Sequence, residues 1–429
     1  MFPIKINIKS YLKALSLLIF TLFLISCKAV GPDYEGAPEL ELPENWENQL
    51  NSEFNETGAS QTQWWTLFND PVLNDLISRA AVDNLDAKIA LARVQVARAN
   101  FGIADAARSP ELDGVGDVSE KSQSKSVSGD RDTGLYSSIG LDISWEIDIF
   151  GYVRRSIEAA DAQLERSVEA YRDVMVILYA EIAKNYVALR TAQERLQYAL
   201  ENVKSQKDTL RIVNARYKAE LVSEVDLLQS EQNLAAAESN IPLFHARINE
   251  LSNGLAILLG KNPGTLNSEL KQSYGIPHVP EKTVIQVPRE ILRQRPDIRE
   301  AERLLAQETA EVGIATAEEY PRFNLNGTFG YDSKEFDNQF SSDSRYWSFG
   351  PNFRWNIFDG GATQAAIEVQ DAQVEEARVN YEKKVLTAFE EVENAIKSYK
   401  EEKQRNASLN VSVTAAKKVN KITLARYTS

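Results

Sequence analysis

An uninterrupted heptad constrains this chain more than any other feature. Between Gly151 and Pro242 there is no glycine and no proline. Steps of seven give Val168, Met175, Ile182, Leu189, Leu196, Val203, Leu210 and Tyr217. Offset from them run Leu164, Tyr171, Leu178, Asn185, Ala192, Ala199, Gln206 and Val213. This is an a/d seam of period 3.5, far longer than an ordinary globular helix needs. A strict heptad imposes a left-handed supercoil against partner helices. A helix from about Val153 to Tyr217 would be roughly 95 Å long, so it must lie against other long helices.

The partner is written in the same chain. Trp145-Glu146-Ile147 recurs as Trp355-Asn356-Ile357, an offset of 210 residues. At that offset Gly151 matches Gly361, Ile157 and Glu158 match Ile367 and Glu368, and Tyr171 matches Tyr381. Glu181 matches Glu391, Arg195 matches Arg405, and Ala215-Arg216-Tyr217 matches Ala425-Arg426-Tyr427. Upstream, with a one-residue slip, Gly102-Ile103-Ala104 matches Gly313-Ile314-Ala315 and Pro110 matches Pro321. A constant register over so many positions marks one large unit made twice, not a solenoid.

The net charge of −14, with acids and bases interspersed, argues against a nucleic-acid partner, which would call for a basic patch. His245 and His278 lack ligand-like spacing, so packing or surface roles suit them better than a metal site. Lys5, Lys9 and Lys13 precede an apolar run from Ala14 to Ile25, which reads as a secretory signal too short to span a membrane. The run ends Leu24-Ile25-Ser26-Cys27, which resembles a bacterial lipobox, and Cys27 is the only cysteine. Lipidation of Cys27 is therefore expected, against the plainer reading of a signal with an incidental cysteine. An intramolecular disulfide is excluded despite the exported destination. Lys28 stands where bacterial lipoproteins usually carry an aspartate for inner-membrane retention, which favours the outer membrane.

An acidic, proline-bearing segment to about Gly58 reads as an extended arm over the body. Trp64-Trp65 reads as core packing rather than a ligand site. Asp70 and Pro71 suit the cap and first turn of a helix to about Asn84. Asp86 is expected to cap a second helix to about Ala107, which Ser109-Pro110 ends. From Glu111 to Phe150 the period becomes two: Leu141, Ile143, Trp145, Ile147 and Ile149 alternate with Asp142, Ser144, Glu146 and Asp148. A weaker strand precedes it near Glu111–Ser119, with a loop from Lys121 to Asp132. The second half repeats this, first in Phe323, Leu325, Gly327, Phe329 and Tyr331. Trp347, Phe349, Pro351, Phe353, Trp355 and Ile357 follow after a loop rich in Asp and Ser.

Strands of about ten residues with one apolar, aromatic-rich face suit an outer-membrane barrel. A soluble hairpin over a core is the plainer alternative, but the export signal and lipobox favour the membrane. Four strands cannot close, and an open edge in lipid leaves backbone groups unpaired. Several chains must then share one barrel.

The loop from about Lys261 to Gln286 separates the halves, and Arg295-Pro296-Asp297-Ile298 opens a helix with Glu300 in its first turn. That helix start accounts for Arg295 and Asp297 without catalysis. The polar stretch Ala215 to Glu224 is the expected reversal of the long helix, with Ser223 capping a returning helix from about Val222 to Gly260. The second half reaches Ala425-Arg426-Tyr427 and stops at Ser429, so its returning helix is expected to be missing, as in a truncated chain.

Taken together the chain resembles the TolC-like outer-membrane efflux proteins, in the lipoprotein branch serving resistance-nodulation-division pumps. The resemblance runs through Gly31-Pro32-Asp33-Tyr34, Trp64-Trp65 to Pro71, and Trp145-Glu146 to Phe150-Gly151 with Arg154-Arg155. It continues in Leu258-Leu259-Gly260, Arg295-Pro296-Asp297-Ile298 with Ala301-Glu302, and Trp355-Asn356-Ile357-Phe358-Asp359-Gly360-Gly361. It implies a mainly α fold with β: a homotrimer with a twelve-stranded β-barrel, a long coiled-coil α-helical barrel and a mixed equatorial domain. It implies a periplasmic adaptor and an inner-membrane pump as partners, outer-membrane lipid around the barrel, and export of small molecules such as drugs or toxic compounds. Under it, Cys27 is the acylated position, and Arg216, Tyr217, Leu221, Ser223 and Asp226 lie at an adaptor-facing helical tip. Glu220 stands where the family usually has glycine. The family's gating carboxylates fall in the second tip, which the sequence does not reach.

The expected organisation is a signal over 1–26, a lipidated arm over 27–60, a first repeat over 61–286 and a second over 287–429. The first repeat holds a hairpin at about 111–150 and a helical hairpin at about 152–260. The second holds a helix at about 296–318, a hairpin at about 322–358 and a long helix at 362–429. No catalytic constellation, cofactor motif or metal cluster is expected, so the chain reads as a passive conduit and not an enzyme. An outer-membrane component of type I protein secretion shares the fold. A periplasmic coiled-coil lipoprotein scaffold would explain the heptads but not the aromatic strands.

Overall fold

The computed structural model describes residues 28–38, 40–41, 43, 46–47, 63–122, 126, 133–278 and 294–428, with side chains through 423. The signal segment and Cys27 lie outside the described residues, as do most of the loop after β1 and the linker 279–293. In order, the elements are α1 (Pro71–Asp83), α2 (Leu85–Ala106), β1 (Glu111–Ser122), β2 (Thr133–Ile147) and α3 (Tyr152–Lys218). Then come α4 (Glu224–Ser239), α5 (Ile241–Leu258), α6 (Pro296–Ala317), β3 (Arg322–Ser333), β4 (Arg345–Arg354) and α7 (Ala362–Thr428). The two long helices α3 and α7 have the same length, 67 residues. Among the described residues no helix is long and apolar enough to cross a membrane.

The chain forms two compact units, and each takes segments from both halves of the duplication. The first draws on 1–40, 95–167 and 299–384; the second on 41–94, 168–298 and 385–429. In the first unit the four strands make one antiparallel sheet in the order β1-β2-β3-β4. Here too Val30 N–H donates to Phe150 O at 2.9 Å, bringing the arm against the turn that starts α3. The side chain of Arg155 is 3 % exposed. It donates to Val30 O (3.0 Å), Gly31 O (3.2 Å), Asp33 Oδ1 (2.6 Å) and Glu158 Oε2 (2.7 Å).

In the second unit the heptad seam becomes a core. Leu178, Ile182, Leu189 and Ala192 of α3 are buried with Leu73, Leu76 and Ile77 of α1 and Leu251 and Leu255 of α5. Trp65 belongs to this cluster and Trp64 packs against it, as expected of the pair. Tyr186, fully buried, donates from its hydroxyl to Asp70 Oδ2 at 2.8 Å. Asp70 Oδ1 in turn accepts from the N–H groups of Val72 and Leu73, capping α1. Burial, followed by the nearby Asp70 carboxylate, pushes the Tyr186 hydroxyl up to about 12. The guanidinium of Arg190, also fully buried, lies over the Tyr186 ring, 4.8 Å from its centroid, and donates to Gln272 O at 2.7 Å.

Local chemistry corrects several expectations. Asn84, not Asp86, caps α2: its Oδ1 accepts from Ala87 N at 2.8 Å while its amide donates to Leu258 O at 2.9 Å. Asp86 sits in the first turn, where its charge still favours the helix dipole. The returning helix starts at Glu224 rather than Val222 and breaks at Asn240, because Pro242 lacks an N–H and is tolerated only near a new helix start. β1 runs on through Lys121 and Ser122, which pair with Gly134 and Thr133 instead of beginning the loop. Ile149, Trp355 and Ile357 lie beyond their strands.

Candidate functional site: an amphipathic sheet and an exposed helical turn

Register decides what the sheet can do. Directly paired residues share a face, so the rows Leu112–Ile143–Gly327–Phe349 and Gly114–Leu141–Phe329–Trp347 line one side. Trp145–Leu325–Pro351 and Ile147–Phe323–Phe353 extend it toward the helices' end of the strands. The opposite side carries Glu111–Ser144–Asn326–Gly350 and Asp113–Asp142–Thr328–Ser348. The apolar side is left open: Trp347 is 72 % exposed, Phe353 66 % and Leu112 63 %. Such an area cannot stay in water, and ten to fifteen residues per strand is the length a tilted strand needs to cross hydrocarbon. Apolar outside and polar inside is the pattern of a membrane barrel wall. Trp145 and Trp355 tie the sheet to its helices, each donating Nε1–H at 3.0 Å, to Arg108 O and Glu319 O respectively.

The helical turn lies in the second unit. Here α3 ends with Leu221 N–H donating to Arg216 O and Glu220 N–H donating to Tyr217 O, both at 2.9 Å. This pair of bonds is a Schellman close, which puts residue 220 in the left-handed region. Glu220 adopts φ +59° there. Ser223 then caps α4, and its hydroxyl accepts from Asp226 N at 3.3 Å. Asp226 Oδ2 accepts from Ser223 N at 2.9 Å and from Ser223 Oγ at 2.7 Å, completing a capping box. Those bonds, the hydroxyl's first, hold the Asp226 carboxyl below the usual carboxylate range. Arg216, Tyr217, Leu221, Ser223 and Asp226 are thus brought into one hydrogen-bonded, solvent-exposed turn. Sequence reasoning missed Val225 and Leu228, which stand 73 % and 55 % exposed beside Leu221 at 71 %. Two apolar residues three apart in the first turns of the returning helix, which share a helix face, were the available signal. Cys27 lies outside the described residues, and among these no group of three or more His, Cys, Asp or Glu is placed to hold a metal.

One-sided strands that cannot close alone, with very long heptad helices in the same chain, define a subunit of an outer-membrane channel. The comparisons agree. The profile of the outer membrane efflux protein family matches residues 76–261 and 287–429. The chain is 29 % identical over 414 residues to nodulation protein T of Rhizobium leguminosarum bv. trifolii, covering 95 % of this chain and 86 % of that one. It is 30 % identical over 374 residues to the cation efflux system protein CusC of Escherichia coli K12, covering 86 % and 79 %. The solved structure of the outer-membrane channel OprN is 34 % identical with a TM-score of 0.79, over 89 % of this chain and 85 % of that one. The chain belongs to the outer membrane efflux protein family. Its work is that of an outer-membrane exit duct for an efflux pump.

Proposed function

We propose that this protein is the lipid-anchored, trimeric outer-membrane duct of a three-part pump, meeting a periplasmic adaptor through the turn at Arg216–Asp226 and, through it, an inner-membrane pump. The observation that carries the trimer is the sheet itself: four strands, one apolar face, and two unpaired edges that lipid would not tolerate. Three copies give twelve strands, an even number within the range of closed barrels. Acylation at Cys27 anchors the arm, whose residues 30–33 are gripped by Arg155 and Phe150. The exposed Leu221, Val225 and Leu228, fixed by a Schellman close and a capping box, offer an adaptor a preorganised apolar knob with a polar rim. The duct works passively; cargo class is set by the pump and adaptor upstream of it. The organisation into an arm and two repeats over 27–60, 61–286 and 287–429 belongs to this reading.

The test is fractionation of the lipidated protein, followed by denaturing gels with and without heating. A heat-labile trimer in the outer membrane is expected. Monomer in inner-membrane or soluble fractions would overturn the trimeric duct and leave a coiled-coil lipoprotein scaffold.

A further inference from the structure

The two edges of the sheet are unlike each other, and unlike in complementary ways. Within the sheet, neighbouring strands fill the space above Gly140, Gly327 and Gly330, while Gly134 of β2 and Gly350 of β4, both on the polar face, are open. A Cβ at Gly327 would come within 2.7 Å of Ile143 Cγ2 and 3.0 Å of Phe349 Cδ2, and one at Gly330 within 2.8 Å of the Tyr346 hydroxyl. On the apolar face, the glycines of the edge strand β1 are the open ones. Gly114 has nothing within 4 Å of such a Cβ, and Gly116 has only Ser138 O at 3.8 Å. An apolar groove of about 530 Å³ runs over these glycines, walled by Ile139, Leu141, Phe329 and Phe340. The other edge strand, β4, carries the surplus: Trp347 and Phe349, on the same apolar face as Gly114 and Gly116, are 72 % and 65 % exposed.

Charge follows the same division. β1 holds Glu111, Asp113, Asp117 and Glu120 against a single Lys121, whereas β4 holds Arg345 and Arg354 and no acid. Arg354 pairs with Arg322 of β3. Arg322 is itself held by Glu318 and lies over the Tyr152 ring. Among the described residues no acid of the same chain is bonded to Arg354. It ends β4 at the end of the sheet where β1 begins with Glu111, and the two strands run in opposite directions.

We infer that β4 of one copy pairs antiparallel with β1 of the next, with Arg354 opposite Glu111 and Phe349 therefore covering Gly116. This rests on the trimeric reading and adds the seam's register and its recognition code. A side chain on β4 need cross only one strand spacing, roughly 4.8 Å, to reach the groove. Covering of edge glycines by aromatics is a known register lock in sheets. Because the two surfaces differ, the contact is head-to-tail, and such contacts close into a ring when the rotation permits. The parity is forced: apolar faces match only if even-numbered β1 residues oppose odd-numbered β4 residues.

The test uses full-length, lipidated protein in outer membranes and reads the temperature at which the trimer dissociates on a denaturing gel. Arg354→Glu should lower it, and Arg354→Glu combined with Glu111→Arg should restore it. Those residues sit on opposite edges of one sheet, so rescue arises only between copies. Gly116→Leu should lower it as well, by occupying the space meant for an aromatic. If the wild-type protein gives no heat-labile trimer, the trimeric reading fails and the seam with it. A wild-type trimer whose charge reversal is harmless or cannot be rescued overturns the pairing alone. A trimer indifferent to Gly116→Leu overturns the glycine–aromatic contact and leaves the groove to lipid.

Discussion

The two halves of the chain share a backbone plan and differ in what they attach to it. Gly151 and Gly361 start the long helices from left-handed conformations of φ +93° and +92°. Each half has a tryptophan indole bonded to the carbonyl at the end of its upstream helix, Arg108 in one case and Glu319 in the other. The first long helix is capped by Asp148, which accepts from Val153 N and Arg154 N; the second by Asp359, which accepts from Gly361, Ala362 and Thr363. The Thr363 hydroxyl also donates to Asp359 Oδ2, and that bond first, then the backbone ones, take the Asp359 carboxyl down to about 2. Yet Arg155, which grips the arm, corresponds to Ala365, and the repeat partner of Gly313, which the arm crosses, is Gly102, which none of the described residues crosses. Duplication preserved the hinges, because a hinge is fixed by backbone geometry that few residues can supply. Side chains that meet a feature present once were free to diverge.

Removing the arm's clamp should give the largest effect. Arg155→Ala strips four acceptors of a buried guanidinium. Asp33 and Glu158 are each about half exposed and can rehydrate, so the cost is about 2 kcal/mol rather than the 3–5 of a fully buried pair. The expected readouts are a lower Tm and loss of exchange protection at the Val30 amide. Ala365→Arg should gain nothing, since among the described residues no arm lies over the second repeat's helix start. The clamp also has a pH sign. Hydrogen bonds from Lys28 and then Arg155 hold the Asp33 carboxyl below its ordinary value. A depressed carboxylate contributes above the unfolded pKa, near 4, and its contribution fades as pH falls through the lower folded value. Val30 protection should therefore be flat at neutral pH and decline only in acid, and Asp33→Asn should abolish the decline. A decline near pH 6 to 7 would show that another group controls the arm.

The glycine pair separates the repeats by sign. At Gly313 a Cβ would stand 2.7 Å from Arg155 Cδ, and Gly31 already packs so closely that its own Cβ would be 2.5 Å from Gly313 Cα. Gly313→Ala should cost about 1 kcal/mol, overpacking outweighing the better helix propensity. Gly102→Ala meets open space on an exposed helix face and should stabilise by up to about 1 kcal/mol. Equal effects in thermal unfolding of the two variants would mean the arm does not bear on α6 at Gly313.

Much of this architecture is legible in the sequence because its two periods are so clean. Alternation in β2, β3 and β4 placed the apolar and polar faces, and the heptad placed Ile182 and Leu189 in a core. Contacts between residues far apart in sequence were not legible. The Arg155 to Asp33 bond joins positions 122 apart, and nothing in either neighbourhood announces the other. Caps were legible only in part: Ser223 stands in a clear capping box, whereas Asn84 and Asp86 are both good cap residues, and the Leu258 carbonyl bonded by the Asn84 amide favours Asn84. At the turn the sequence located Arg216 to Asp226, but exposure of Val225 and Leu228 depends on which face of α4 remains uncovered, a tertiary fact.

The smallest effect concerns two helix ends of one design. α5 closes with Lys261 N–H donating to Ala256 O and Gly260 N–H donating to Ile257 O, the same bonds that close α3 at Leu221 and Glu220. Gly260 has φ +64° and no alternative, since a Cβ there would lie 2.5 Å from Asp83 O. Glu220 holds the same conformation with a side chain, in solvent, at a cost that glycine would relieve. Glu220→Gly should therefore stabilise the turn by about 0.5–1 kcal/mol, slowing exchange at the Leu221 amide with little change in global Tm. If that exchange instead quickens, the Ser223–Asp226 box sets the turn's shape, and the glutamate contributes more through its charge than it costs in strain. The sign of this small number thus decides whether the surface offered to an adaptor is held from the α3 side or the α4 side.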